Sequence, residues 1–308
     1  MRVLLASPRG FCAGVDMAIE SLRRALTRFG PPVYVYHEIV HNQWVVDQFR
    51  RLGAVFVDDL EQVPHGSHLL YSAHGVSPEI CRQAHSRGLQ VVDATCPLVT
   101  KVHREAVHFA EQGYLVVLVG HAGHDEVVGT MGEVAGSVVL VESVEDVDRL
   151  APADPERLAY LTQTTRSVDD AAQIIGRLRQ RFPKIVGPPK DDICYATQSR
   201  QEAVRSLAAR ADIALVVGSQ NSSNSQRLAE VARWTGIPAR LIDGADDIDP
   251  AWLAAEQTVL ITAGASAPET LVQGCVRFLQ QRFNAEVEEL PVCDERVRFP
   301  LPKELHDP

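Results

Sequence analysis

Three absences bound what this chain can be. No apolar run approaches the ~20 residues a membrane helix needs, and the apolar start Val3-Leu4-Leu5-Ala6 is closed at once by Pro8-Arg9-Gly10. That is short for an export signal, so a cytoplasmic protein is expected. There is no excess of basic residues: the formal net charge is −10, which argues against a nucleic-acid partner, since phosphate backbones recruit basic faces. Neither a C-x-x-C pair nor a G-x-G-x-x-G turn occurs, so local zinc and dinucleotide signatures are missing. What remains is a chain of 308 residues, 45% apolar and 23% charged. This is globular composition, and the length suits two or three α/β units.

Cysteine is the residue type that stands out. Six are present, Cys12, Cys81, Cys96, Cys194, Cys275 and Cys293. In a reducing compartment they point to thiolate chemistry or burial rather than to disulfides. Cys81 and Cys275 fall within helical patterns at core spacing and Cys293 near the end of the chain, all read as structural.

Cys12, Cys96 and Cys194 share one context. Each follows an apolar run (Val3 to Ala6, Val91 to Ala94, Lys184 to Val186) and precedes a helical pattern. A strand, a polar loop, a helix and another strand come next each time, with loops "HEIVHNQ", "GHAGHDE" and "GSQNSSNS". A third strand then runs into a small polar turn and a helix with an acidic first turn, around His74, around Thr164 and Thr165, and around Ser266. The repeat predicts an α/β fold of three similar units with mostly parallel sheets, a pseudo-threefold trefoil around a central site. Its units are 14–96, 97–190, and 1–13 plus 191–283, followed by a C-terminal tail at 284–308. Loops at the carboxyl ends of parallel strands are where such folds bind ligands.

If the loops meet, they gather three thiols (Cys12, Cys96, Cys194), three histidines (His41, His74, His124), the carboxylate Glu126, and the small polar residues Thr164, Thr165, Ser222, Ser223, Asn224 and Ser266. Three sulfur ligands without a fourth suit an iron–sulfur cluster with one open iron or a zinc site with an open position. Histidine and hydroxyl donors beside helix N-termini suit an anion with many oxygens, although Lys and Arg are nearly absent there. A buried Glu126 would have a raised pKa and could deliver a proton. In the first turn, Gly10 and Gly14 are expected to free the backbone around Cys12, and the helix that follows to lower the pKa of its thiol. A zinc-dependent hydrolase or lyase of a phosphorylated metabolite and a cluster-based redox sensor stay open on these residues alone.

The motifs "PRGFCAGV", "HEIVHN", "SAHGVS", "DATCPLVTKVH", "GHAGHDEVVGTMG", "KDDICYAT", "VVGSQNSSNSQRL" and "TAGASAPE" resemble those of the 4-hydroxy-3-methylbut-2-enyl diphosphate reductase family, from Arg2 to about Phe283. That resemblance implies an oxidoreductase of the methylerythritol phosphate route to isoprenoids, with one [4Fe–4S] cluster per subunit on Cys12, Cys96 and Cys194. It implies a diphosphate substrate held by His41, His74, His124, Ser222, Ser223, Asn224 and Ser266. Thr164 would lie at the hydroxyl end, Glu126 would be the proton donor, and ferredoxin or flavodoxin would supply electrons.

Overall fold

The computed structural model describes residues 1–306, so the last two positions of the expected tail lie outside the described residues. In chain order the elements are β1 (Arg2–Ser7), α1 (Ala13–Phe29), β2 (Val33–Tyr36), α2 (Gln43–Arg51), β3 (Ala54–Val57), β4 (His68–Tyr71), α3 (Pro78–Ser86), β5 (Gln90–Asp93) and α4 (Pro97–Glu111). There follow β6 (Leu115–Val119), α5 (Asp125–Glu133), β7 (Val138–Val141), α6 (Val144–Arg149), β8 (Leu158–Thr162) and α7 (Val168–Arg181). The last third holds α8 (Tyr195–Ala208), β9 (Ile213–Val217), α9 (Ser223–Trp234), β10 (Ala239–Ile242), β11 (Thr258–Ala263), α10 (Glu269–Phe283) and β12 (Glu286–Pro291).

Among the described residues the strands form three sheets, ordered β3-β2-β4-β5, β7-β6-β8 and β10-β9-β11-β1-β12, and their pairings are parallel. All three follow one plan. A middle strand (β2, β6, β9) has its successor on one side and the third strand (β4, β8, β11) on the other. Beyond the third strand lies the segment that leads into a cysteine. In two sheets that segment is a strand, β5 before Cys96 and β1 before Cys12.

Before Cys194 the expected strand shrinks to one parallel bridge between Ala159 and Val186. Its cause is local: Pro183, Pro188 and Pro189 flank the segment and have no N–H for a ladder. At Gly187 a Cβ would come within 2.3 Å of the Tyr160 ring. The stretch after Phe283 also differs from a bare tail, since β12 adds a parallel strand beside β1, pairing Arg2 with Glu286 through to Ser7 with Pro291.

By backbone contacts the chain divides into two compact units. The first (Met1–Asp16, His41–Gln48, Tyr195–Arg298) contains the five-stranded sheet, and the second (Met17–Val40, Phe49–Cys194 and the residues from Phe299 on) contains the other two. Alternation along strands covered on both faces builds their cores. In the first unit, Val3, Leu5, Leu215 and Ile261 pack on Val272, Cys275 and Leu279 of α10. Leu4, Ala6, Val216 and Leu260 face Val204 and Leu207 of α8 and Leu228 of α9 on the opposite side. In the second unit, Val116, Leu118 and Leu161 meet Val102, Ala106 and Phe109 of α4, while Val117, Val119 and Tyr160 meet Ile174 and Leu178 of α7. Each buried Val, Leu, Ile or Phe among them contributes roughly 1.5–3 kcal/mol. The rigid layers fix where the loops emerge.

Close packing also dictates glycine. A Cβ at Gly264 would lie 1.9 Å from Ser225 Oγ, and one at Gly218 would lie 2.2 Å from the same atom. Gly264→Ala is therefore expected to cost ~1–3 kcal/mol by overpacking, read from the urea midpoint. The penalty should shrink in a Ser225→Ala background; an equal penalty in both would show that the Ser225 hydroxyl is not the obstacle.

Candidate active site

Each of the three repeated cysteines is the residue immediately before a helix, α1, α4 or α8. Each donates its backbone N–H to the same place in its repeat, the carbonyl two residues past the third strand. Cys12 bonds Ala265 O at 3.3 Å, Cys96 bonds Ala73 O at 3.0 Å and Cys194 bonds Thr164 O at 3.0 Å. All three residues are half-buried and none of them is in a disulfide. The same bond in three turns carries the repeat down to single atoms.

The first turn corrects two expectations. Gly10 has φ +67°, as a tight turn requires, and its N–H reaches Ala263 O at 3.2 Å; Gly14, by contrast, lies inside the first turn of α1. The N–H groups of Gly14 and Val15 and the Arg200 guanidinium do favour the Cys12 thiolate, but burial outweighs them and pushes the thiol up. Desolvation of the charged form is the larger effect until a cation arrives. Of the cysteines read as structural, Cys275 is buried as expected, whereas Cys81 is exposed.

The second loop of each repeat caps the helix that follows. Asn42 Oδ1 accepts from Val45 N at 3.1 Å, His124 Nδ1 from Glu126 N at 3.2 Å and Ser222 Oγ from Ser225 N at 3.3 Å. The residue matching His124 and Ser222 is thus Asn42, not His41, a correspondence hidden in sequence because amide, imidazole and hydroxyl share only the ability to accept. Two residues into the same helices, past the caps His124 and Ser222, stand Glu126 and Asn224, both buried.

In the first unit, Ser266 Oγ donates to His41 O at 2.9 Å and lies 3.3 Å from Ser222 Oγ. Ser266 follows Ala265, the partner of Cys12, so the cysteine turn, His41, Ser222 and Ser266 are drawn together. Asn224 is 4% exposed and neither amide atom has a hydrogen-bond partner. Because a buried polar group without a partner costs ~1–3 kcal/mol, a side chain left so is suited to a ligand. Ser223 is the first residue of α9 and half-buried.

In the second unit, Glu126 is 2% exposed. Thr164 donates to both its oxygens, backbone N–H to Oε1 at 2.6 Å and hydroxyl to Oε2 at 3.0 Å. Burial raises the carboxyl to about 7 against those two bonds, with the nearby Asp192 charge adding to the rise. Since Thr164 O also holds Cys194 N–H, the acid, the hydroxyl and a cysteine turn form one chain of contacts. The His74 and His124 rings meet edge to face with centroids 5.9 Å apart. His74 Nδ1 is 3.4 Å from Ser72 Oγ and 3.9 Å from Asp125 Oδ2. Asp125 Oδ1 in turn lies 2.8 Å from His37 Nδ1, and that bond raises the His37 ring.

Sequence reasoning passed over Asp125, Gln163 and Asp192. Gln163 Oε1 accepts from His121 N at 3.0 Å and its Nε2 donates to Thr165 Oγ1 at 2.9 Å. Asp192 Oδ1 pairs with Lys101 Nζ at 2.6 Å while Oδ2 accepts from Thr162 N at 2.9 Å. Asp125, beside two noted residues in "GHDE", was the one legible omission. As a donor set, three cysteine sulfurs fit a group that takes three thiolates and keeps one metal open. The imidazole, hydroxyl and amide groups are hydrogen-bond donors suited to an anion.

The sequence model of a family described as "LytB protein" matches residues 3–280. The chain is 60% identical over 305 residues to the 4-hydroxy-3-methylbut-2-enyl diphosphate reductase of Rhodopirellula baltica, covering 99% of this chain and 96% of that one. It is 57% identical over 305 residues to the enzyme of the same name from Azoarcus sp., covering 99% and 98%. A solved structure of the E-1-hydroxy-2-methyl-but-2-enyl-4-diphosphate reductase from Plasmodium falciparum superposes with TM-score 0.96 at 39% identity, covering 99% of this chain and 96% of that one.

Proposed function

From the premise that this chain belongs to the LytB protein family, with relatives named 4-hydroxy-3-methylbut-2-enyl diphosphate reductase along its whole length, we infer what its site does. The protein is that reductase, an oxidoreductase of the methylerythritol phosphate pathway. It removes the hydroxyl of (E)-4-hydroxy-3-methylbut-2-enyl diphosphate as water, consuming two electrons and two protons, and yields isopentenyl and dimethylallyl diphosphate. The zinc hydrolase and redox-sensor readings lose their ground with that membership.

Cys12, Cys96 and Cys194 would hold a [4Fe–4S] cluster, which when bound would supply the electrons and Lewis-acid character. Everything else falls to side chains. Glu126, held half-protonated near neutral pH by burial, carries a proton to the departing oxygen. Thr164, bonded to both carboxyl oxygens, fixes the acid and orients the hydroxyl end. His41, His74, His124, Ser222, Ser223, Asn224 and Ser266 bind the diphosphate, assisted by the N-termini of α2, α5 and α9. Ferredoxin or flavodoxin is the electron donor and the cytoplasm the place of action; no described helix is long and apolar enough to cross a membrane.

The observation that carries the reading is the buried Glu126–Thr164 pair bonded onto the Cys194 turn. It is tested by anaerobic iron and sulfide analysis coupled to reduction of the hydroxylated diphosphate. Protein so prepared that holds no iron would end it.

Asn224 offers a separate check. Asn224→Ala is expected to leave the melting temperature unchanged or raised, because its amide has no protein partner to lose. KM for the diphosphate should rise about 10- to 100-fold, the worth of a hydrogen bond to a charged group. A fall in stability at constant KM would assign Asn224 to the fold instead.

A further inference from the structure

From Glu286 to Glu295 the segment after Phe283 runs beside β1 and reaches the arginines at the Cys12 turn. Beyond the β1 pairing, Val292 N donates to Ser7 O at 2.8 Å. Two arginines then brace the turn, Arg9 and Arg200. Arg9 donates to Ala6 O at 3.0 Å, grips both carboxylate oxygens of Glu269 at 3.1 and 2.6 Å, and reaches Glu289 of β12 at 2.7 Å.

Arg200 on α8 is wholly buried. Its Nε and Nη2 donate to Gly10 O at 3.1 and 2.7 Å, and Nη2 also lies 3.3 Å from Phe11 O. Nη1 donates to Ala196 O at 2.9 Å and to the Glu295 oxygens at 2.8 and 3.1 Å. Glu295 also accepts from Ser199 Oγ. A planar guanidinium is thereby spread across the two carbonyls that precede Cys12, the start of the helix after Cys194, and a carboxylate from the far end of the chain.

A buried cation is costly without a partner, and Glu295 is the anion in ion-pair contact with Arg200. Truncating the carboxylate would therefore loosen the guanidinium and with it the carbonyls of Gly10 and Phe11. Arg200 grips the carbonyls of the two residues before Cys12 and Glu295 grips Arg200, so one charge of each sign is held against that turn.

We propose that Arg200 and Glu295 are positioning residues for Cys12: through this pair the C-terminal segment holds the cysteine turn and sets the charge balance at that ligand. Residues outside a metal's own ligands orient those ligands and tune the metal's potential in this way. For a cluster, net charge and hydrogen bonding nearby are the protein's levers. The inference rests on the reading of Cys12 as a cluster ligand.

The test uses the full chain, loaded with cluster anaerobically and also in the apo form, with Glu295→Gln, Glu295→Asp and Arg200→Gln. Removing an anion favours the reduced cluster, so Glu295→Gln should move the midpoint of an EPR-monitored redox titration in the positive direction. Arg200→Gln removes a cation and should move it in the negative direction. A merely structural pair would not give opposite signs. In the apo protein, exchange of the Gly10 and Cys12 amides should quicken by about tenfold or more in Glu295→Gln.

Unchanged potentials, or shifts of one sign in both variants, would overturn the electrostatic role; unchanged amide exchange would overturn the brace. Should Arg200→Gln fail to fold, Glu295→Asp decides by restoring the wild-type potential that Glu295→Gln has lost, and failure to restore it counts against the proposal. Wild-type protein that takes up no cluster would instead defeat the assignment of the cysteines, while the apo exchange measurement would still read the brace.

Discussion

Glu126→Gln is expected to keep the fold and the cysteine turns and to lower kcat by about 10²- to 10⁴-fold, the usual contribution of a positioned general acid. The substitution suits the question because it is nearly isosteric. Thr164 N–H can still donate to the amide oxygen, and the Thr164 hydroxyl can turn to accept from the new NH₂. What disappears is the transferable proton.

The pH dependence has a definite sign. As the proposed proton donor Glu126 would work protonated, and burial raises its carboxyl to about 7, so wild-type turnover should decline as pH rises through 7. The small residual rate of the variant should lack that limb. Stability moves with it. Glu126 has an ordinary value of 4.5 that burial raises in the folded state, so the folded protein binds this proton more tightly than the unfolded chain does. Its contribution is fully present below pH 4.5 and is lost as pH rises to 7, by about 3 kcal/mol in all. The amide has no such term. Urea unfolding at pH 4.5 and pH 8 should show Glu126→Gln gaining on wild type by about that amount. A constant difference between the two proteins, or wild-type turnover in the variant, would remove Glu126 from its role.

How much of this site could be read beforehand depends on which physics controlled each residue. The cysteine turns were legible because a strand, a turn and a helix each leave a local periodicity, and the same sequence of periodicities occurs around Cys12, Cys96 and Cys194. Glu126 and Thr164 were legible as polar residues in loops after apolar strands. Their bond to each other was not, since it joins residues 38 positions apart through a tertiary contact.

The apolar run before Cys194 suggests a full strand, but the prolines on either side deny it a ladder and leave one bridge. The last strand was missed for the opposite reason: "EVEELP" is an exposed edge with little apolar signal, and register against β1 rather than composition makes it a strand. At the Cys12 thiol the favourable helix N-terminus is visible in sequence, whereas the larger cost of burial is set by tertiary packing. Asn224 was read as one donor among several. Only the fold reveals that both ends of its amide are sealed from water without a partner.

The sharpest division predicted within the molecule is among its own cysteines. Cys12→Ala, Cys96→Ala and Cys194→Ala should each bind less than about a tenth of the wild-type iron and lose turnover entirely, since a group held by three thiolates is not retained by two. The apo forms should melt close to wild type. The bonds that shape the turns are made by cysteine backbone N–H groups to Ala265, Ala73 and Thr164, and alanine keeps them. Cys81→Ala and Cys293→Ala, at exposed positions, should leave iron and turnover alone, with at most a small loss of stability at Cys81, whose thiol is hydrogen-bonded to Tyr71. Cys275→Ala should cost about 1 kcal/mol of core packing at full activity, for this thiol is buried among Val272, Val276 and Leu279. Losses graded by burial would be the mark of packing, because Cys275 would then suffer most. Equal and complete losses at the three half-buried turn positions, and none at the most buried thiol, would be the mark of a shared ligand set. Wild-type iron content in any one of the three turn variants would break that set.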